Sequence, residues 1–260
     1  MKLKSFMDEA YKGKTRNKNL ETNKAEAAID LEDLEDRIGE EPSKERIAEL
    51  IPSNPTLLAR LLASDPGKKC RLVWGYLSSL CAENAIEPLR LPARDYVGLE
   101  LTHGVIVLER GGDHVGERME GGRIFVKGEA GDYLGQEMSG GGIVAGSCND
   151  YCCRNMHGGF AIVLGKARNY VGMGNSGGRI IIRGDVGARS GWLMRSGSLR
   201  INGNAADYLG LLMKGGGIIV AGRTGSRAGW QMRGGIIKVG VIGPEAKEGA
   251  TGGQILEMDH

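Results

Sequence analysis

From residue 91 onward the chain repeats itself every 18 or 19 residues, and no other feature restricts its fold as strongly. Units begin at residues 91, 109, 128, 146, 165, 184, 203, 222 and 240. Glu109 to Lys127 reads ERGGDHVGERMEGGRIFVK, and Gly203 to Ala221 reads GNAADYLGLLMKGGGIIVA. With the first residue counted as zero, glycine fills offset seven at Gly98, Gly116, Gly135, Gly172, Gly191, Gly210 and Gly229. Methionine fills offset ten at Met119, Met138, Met156, Met194, Met213 and Met232. A Gly-Gly pair follows, as in Gly121-Gly122 and Gly215-Gly216, and β-branched runs such as Ile180-Ile181-Ile182 close the unit.

This period excludes most repeat architectures. Eighteen or nineteen residues cannot hold two helices and their turns, so ankyrin-like and tetratricopeptide-like arrays fail. The leucine-rich pattern with its asparagine ladder is missing. The 44 glycines follow no strict Gly-X-Y period, which excludes collagen, and they alternate with Ile, Val and Met, which excludes a flexible linker. What remains is a parallel β-helix, with three short strands and three corners expected per coil. Glycine suits the corners, where φ turns positive and coils stack closely. The methionines read as an interior column that fills irregular space between coils. Nine coils at ~4.8 Å each predict a column roughly 43 Å long.

Before residue 91 the composition changes. Only Gly13, Gly39, Gly67 and Gly75 fall there, which places a boundary near Pro88–Pro92 between an α-helical extension (1–90) and the β-helix domain (91–260). Ala25, Ala28, Ile29, Leu31, Leu34 and Ile38 recur at three and four, with Gly39 as the stop. Asn54-Pro55 reads as a cap followed by a proline at the first helical position, before the stripe Leu57, Leu58, Leu61, Leu62. A last helix over Leu72, Val73, Tyr76, Leu77 and Leu80 is expected to end near Asn84. Residues 54–84 are placed to cover the open end of the column. The first 24 residues carry seven Lys/Arg and are expected to gain order on a partner.

Several function classes drop out. Thirty-four Lys/Arg against 32 Asp/Glu leave a formal charge of +2, no footprint for nucleic acid or a membrane anchor. No segment is apolar enough to span a bilayer, and Met1 to Phe6 lacks the apolar core of a secretory signal. Five cysteines without such a signal point to a reducing cytoplasm.

Local motifs carry chemical readings of uneven weight. Gly172 to Gly177, GMGNSG, spells a dinucleotide fingerprint, which works only between a strand and a helix N-terminus; no helix pattern follows. Gly174-Asn175-Ser176-Gly177-Gly178 spells a nucleophile elbow and makes Ser176 a candidate esterase nucleophile. Ser176 nevertheless occupies the slot filled by Ser139, His157 and Lys214 in other units. Cys148, Cys152 and Cys153 with His157 form a candidate zinc, iron–sulfur or redox site. Against it, neighbouring residues of a strand point to opposite sides, and Cys153 fills the offset-seven glycine slot, so packing is preferred. His103 and His114 read as surface residues; Arg189, Arg195, Arg227 and Arg233 recur on neighbouring coils as one face, with a solvated face preferred over an anion site.

The phased motif G-x-x-G-x-x-x-G-x-x-M-x-G-G-x-I-x-V over residues 91–258 resembles the GXGXG repeat family. That domain closes the large subunit of glutamate synthase and makes up most of one subunit of formylmethanofuran dehydrogenase. The resemblance implies a right-handed β-helix with no catalytic, cofactor or metal site of its own, which braces subunits that bear the chemistry. Units such as Gly184-Asp185-Val186-Gly187 and Gly225-Ser226-Arg227-Ala228-Gly229 look more like the GXGXG subunit of formylmethanofuran dehydrogenase. The helical block of 90 residues departs from that family's usual entry through β structure. The expected function is a scaffold subunit of an oxidoreductase whose other subunits bear a molybdenum or tungsten pterin, iron–sulfur clusters or flavin. The alternatives are a stand-alone glutamate-synthase-type subunit, and an independent enzyme using Ser176 or the Cys148–Cys153 cluster.

Overall fold

The computed structural model describes residues 29–39, 41–51 and 55–258. The basic arm, Ala25, Ala28 and the expected Asn54 cap lie outside the described residues. Helix α1 (Leu31–Ile38) begins where the Asp30 carboxylate accepts the Asp33 N–H at 2.9 Å, and it ends at Gly39 with φ 77°. Helix α2 (Lys44–Leu50) has no counterpart in the sequence pattern: it is seven residues long and buries only Ile47, too little for a readable period. Helices α3 (Pro55–Ala63) and α4 (Arg71–Glu83) lie where their apolar stripes place them. Leu34, Ile38, Ile47, Leu61, Trp74 and Leu77 form the sealed centre of this block.

The rest is a parallel β-solenoid. Ten strands follow: β1 (Leu89–Leu91), β2 (Val105–Leu108), β3 (Arg123–Ala130), β4 (Gly142–Cys148), β5 (Phe160–Val163), β6 (Ser176–Ile182), β7 (Ser196–Ile201), β8 (Gly217–Arg223), β9 (Arg233–Val241) and β10 (Gly252–Glu257). They pair in sequence order in one sheet. Each coil thus carries one long strand, not the three expected; a second line of contact is reduced to bridges through Cys148, Ala167, Val186, Ala205 and Thr224. The reason is conformational. Between strands, alternate residues turn left-handed, as at Tyr96, Gly98 and Glu100 (φ 59°, 76° and 55°) and again at His114, Gly116 and Arg118 (60°, 71° and 52°). Such a segment curls into an arc and cannot run straight. Its amides still bond from coil to coil, as Tyr96 N–H to the Asp113 carbonyl and Gly116 N–H to the Val97 carbonyl, both at 2.8 Å.

The interior follows the repeat. Met119, Met138, Met156, Met194, Met213 and Met232 are all at most 1% exposed, as the expected column requires. Ile106, Ile124, Ile143, Ala161, Ile180, Leu199, Ile218, Ile237 and Ile255 stack along the inner face of the sheet. Asn175 takes the methionine slot in one coil and is completely buried. Its carboxamide closes its own turn, accepting the N–H groups of Gly177 and Gly178 and donating to the Gly178 carbonyl.

Helix α4 covers the first coil, as the placement of residues 54–84 implies. Ser78 Oγ accepts the Gly98 N–H at 2.8 Å, replacing the carbonyl that an earlier coil would have offered. Glu83 accepts the Thr102 N–H at 2.8 Å, and Ser79 donates to the Leu99 carbonyl at 2.7 Å. Gly75 permits the approach, because a Cβ there would lie 2.7 Å from the Tyr96 carbonyl oxygen. At Gly98, Leu99 and Thr102 the edge groups of the first arc are therefore bonded, not left open.

A candidate docking face

The outer face of the sheet has two rows of side chains, fixed by register. One runs Val105, Arg123, Gly142, Phe160, Arg179, Ser198, Gly217, Ile236 and Gln254. The other runs Arg90, Val107, Phe125, Val144, Ile162, Ile181, Arg200, Ile219, Lys238 and Leu256. Phe125, Phe160, Ile219, Ile236 and Leu256 are exposed large apolar side chains. Parallel sheets are normally covered on both faces, so a bare, apolar outer face is unusual. The small residues Ser198 and Gly217 leave a shallow dent between Arg179, Arg200 and Ile219. About 43 Å of sheet by four residues (~13 Å) gives a face of roughly 560 Å². That is about two-thirds of the ~800 Å² that one partner buries in a standard interface.

The chemical candidates fare differently. His157 Nδ1 lies 2.8 Å from Ser176 Oγ, a distance suited to a base and its nucleophile. No carboxylate bonds His157 among the described residues. The Gly177 N–H that would stabilise an oxyanion is already given to Asn175 Oδ1 at 3.2 Å. Ser176 opens β6, so no helix follows it and the elbow geometry is not formed. The same holds for the dinucleotide-like stretch: Gly172 and Gly174 lie in the arc before β6 and Gly177 within β6, so no helix follows.

The cysteines depart from expectation. Cys152 and Cys153 do not alternate along a strand: they sit in the arc, Cys153 at φ 57°, and both point inward with sulfurs 3.7 Å apart. Cys148 joins them in the core, while His157 is exposed on the surface. Hydrogen bonds to Cys152 and burial hold Cys148 and Cys153 well above the usual thiol range. The bonds from both neighbours pull Cys152 the other way, against its own burial. Among the described residues no three His, Cys, Asp or Glu side chains are grouped to hold a metal. Cys153 stands in the glycine ladder beside Gly135, and Ala161 is the one small rung of the isoleucine ladder. The thiols are seated as small core residues.

Two surface ladders escaped the reading of spacing alone. At offset four, Asp95, Asp113, Asp132 and Asp150 each accept the N–H of the next rung, at 2.8 to 3.0 Å, and Asn169 continues the line to Ala188. At offset five, Tyr96, His114, Tyr133, Tyr151 and Tyr170 stack with ring centroids 4.5 to 4.9 Å apart. Arg189 then lies between the rings of Tyr170 and Tyr208, and Arg227 lies over Tyr208. His114 is thus a rung of a stack, not an isolated surface residue. Arg189 and Arg227 belong to this ladder, whereas Arg195 and Arg233 lie at offset eleven, Arg195 just before β7 and Arg233 opening β9, so the four arginines do not share one face. The recurrence of Asp and Tyr at fixed offsets was the available signal. No helix among the described residues is long and apolar enough to cross a membrane. Comparison with protein-family models and with curated proteins finds no match for this chain.

Proposed function

We propose that the chain is a non-catalytic scaffold subunit of a multi-subunit oxidoreductase, most like the GXGXG subunit of formylmethanofuran dehydrogenase. The observation that carries this reading is the bare outer face of the sheet, where cations that form no ion pair among the described residues stand between exposed Phe and Ile side chains. The Asp95-to-Asn169 ladder and many backbone amides of the arcs are meanwhile spent on bonds between coils. The partner subunits would hold the molybdenum or tungsten pterin, the iron–sulfur clusters or the flavin, in the cytoplasm, and this chain would position them. The glycine-phased motif over residues 91–258 supports the family, and a glutamate-synthase-type subunit shares the same architecture. The independent-esterase reading is weakened by the occupied Gly177 N–H.

The test is purification of the tagged chain from its native source, followed by cofactor analysis and activity of the isolated and the assembled forms. Arrival with metal- or flavin-bearing subunits, and no turnover by the chain alone, supports the proposal. Ester hydrolysis by the lone chain that disappears in Ser176→Ala, or stoichiometric metal lost in Cys152→Ser, overturns it.

A further inference from the structure

We infer that the outer face of the sheet receives an acidic amphipathic helix of a partner subunit. This rests on the scaffold reading and names the chemistry of what is held. The two outer rows contain Arg90, Arg123, Arg179, Arg200 and Lys238, and not one Asp or Glu. In a chain with 34 basic and 32 acidic residues, that asymmetry is local to the face. None of the five makes an ion pair among the described residues; the nearest pairs, Lys127–Glu109 and Arg110–Glu129, lie at the far end of β3, beyond the two rows. Arg195, Lys214 and Arg233, all exposed, extend the positive charge along the flank where β7, β8 and β9 begin, with Glu120 the acid at that offset several coils away.

The apolar side chains give such a helix its footing. Helices are what normally cover parallel sheets, and a helix about 10 Å across fits a face about 13 Å wide. At Gly217 an added Cβ would meet nothing within 4 Å, so the dent beside Ser198 is open space. A leucine-sized anchor from the partner fills it, with Ile219 as its apolar wall. Carboxylates one turn away from the anchor on the helix reach Arg179 and Arg200.

Other occupants fit less well. A second copy would set the same five cations against themselves. The acidic helix of this chain, α1, already buries Leu31, Leu34 and Ile38 in its own block and has no apolar face to offer. The N-terminal arm has seven Lys/Arg against three Asp/Glu in its first 24 residues, the wrong sign.

The experiment uses the full-length chain and a fluorescein-labelled model helix of about 20 residues, with leucines on one face and glutamates on the flanks. Two controls replace Glu by Lys or scatter the leucines around the helix. Anisotropy titrations should show the acidic helix binding, weakening with salt, and exceeding both controls by at least about tenfold. Arg179→Glu/Arg200→Glu and, separately, Gly217→Leu should each cost about tenfold or more, with unchanged circular dichroism and melting. Absence of binding to about 1 mM, equal binding of the Lys helix, or unaffected variants overturns the inference. So does light scattering that shows these substitutions breaking a dimer of this chain. A chain that co-purifies with subunits yet ignores the acidic helix defeats this inference alone. A chain that binds the helix yet catalyses unaided defeats the scaffold reading alone.

Discussion

Gly210→Val tests the left-handed arc most directly, because two separable costs meet at one residue. Gly210 has φ 66°, a region that a β-branched residue adopts only with strain of about 1–3 kcal/mol. Its added Cβ would also fall 2.6 Å from Ile237 Cδ1 and 3.5 Å from Ile218 Cδ1, in a closed interior. Overpacking of that kind costs roughly 1–3 kcal/mol. The expected loss is therefore about 2–6 kcal/mol, or a fall in Tm on the order of 5–20 °C for a domain of this size. Gly217→Ala is the matched control, since its Cβ meets nothing within 4 Å and its φ is not positive. Ile237→Val in the Gly210→Ala background separates the two costs. Removing the δ-methyl relieves the contact and leaves the backbone strain, so only part of the stability should return. Thermal and urea melts followed by circular dichroism read the four variants and wild type, with the slope of the urea transition checking that unfolding stays cooperative. A Gly210→Val protein that melts within about 2 °C of wild type, or no worse than Gly217→Ala, refutes the arc geometry.

Two further outcomes follow from the cap and the thiols. Ser78→Ala leaves the buried Gly98 N–H without its acceptor and should cost about 1–3 kcal/mol, with faster hydrogen exchange at Gly98 before the rest of the column; unchanged exchange there would mean that α4 does not seal the end. Burial pushes the Cys81 thiol up to about 12, and burial with the hydrogen bond to Glu35 pushes Cys70 to about 12, from an ordinary 9.0. At both residues the folded value is the higher, so the unfolded chain loses these thiol protons first as pH rises. This contribution is complete below pH 9 and is lost between 9 and 12, so Tm should hold to about pH 8.5 and then fall. At pH 8 a thiol reagent should label the native chain slowly and all five cysteines after denaturation. Fast labelling of the native protein, or a Tm that climbs through pH 10, would contradict the burial of the cluster.

The repeat made legible whatever depends on spacing alone. The period and the buried methionines were both there, because burial selects residue type at fixed intervals, and of the segment 54–84 expected to cap the column the helix 71–83 makes the contact. Conformation was harder to read. A glycine at offset seven announces positive φ, but Tyr96, Glu100, His114 and Arg118 adopt it too, and nothing in a tyrosine or arginine betrays a left-handed backbone. Each is held there by bonds its neighbours in the stack supply, such as Tyr96 N–H to the Asp113 carbonyl and Arg118 N–H to the Gln136 carbonyl at 2.8 Å. Tertiary context therefore chose an arc where short strands were expected, and the same choice turned Cys152 and Cys153 inward together. The docking face hides for a different reason. Arg179, Arg200 and Lys238 are unremarkable in a chain of nearly balanced charge, and Phe125, Phe160 and Ile219 look like ordinary strand residues. Only register aligns them on one side of one sheet, with every acidic residue excluded from the two rows. A period of 18 in some coils and 19 in others also blurs any count made on sequence alone, since one residue of slip exchanges the inner and outer faces.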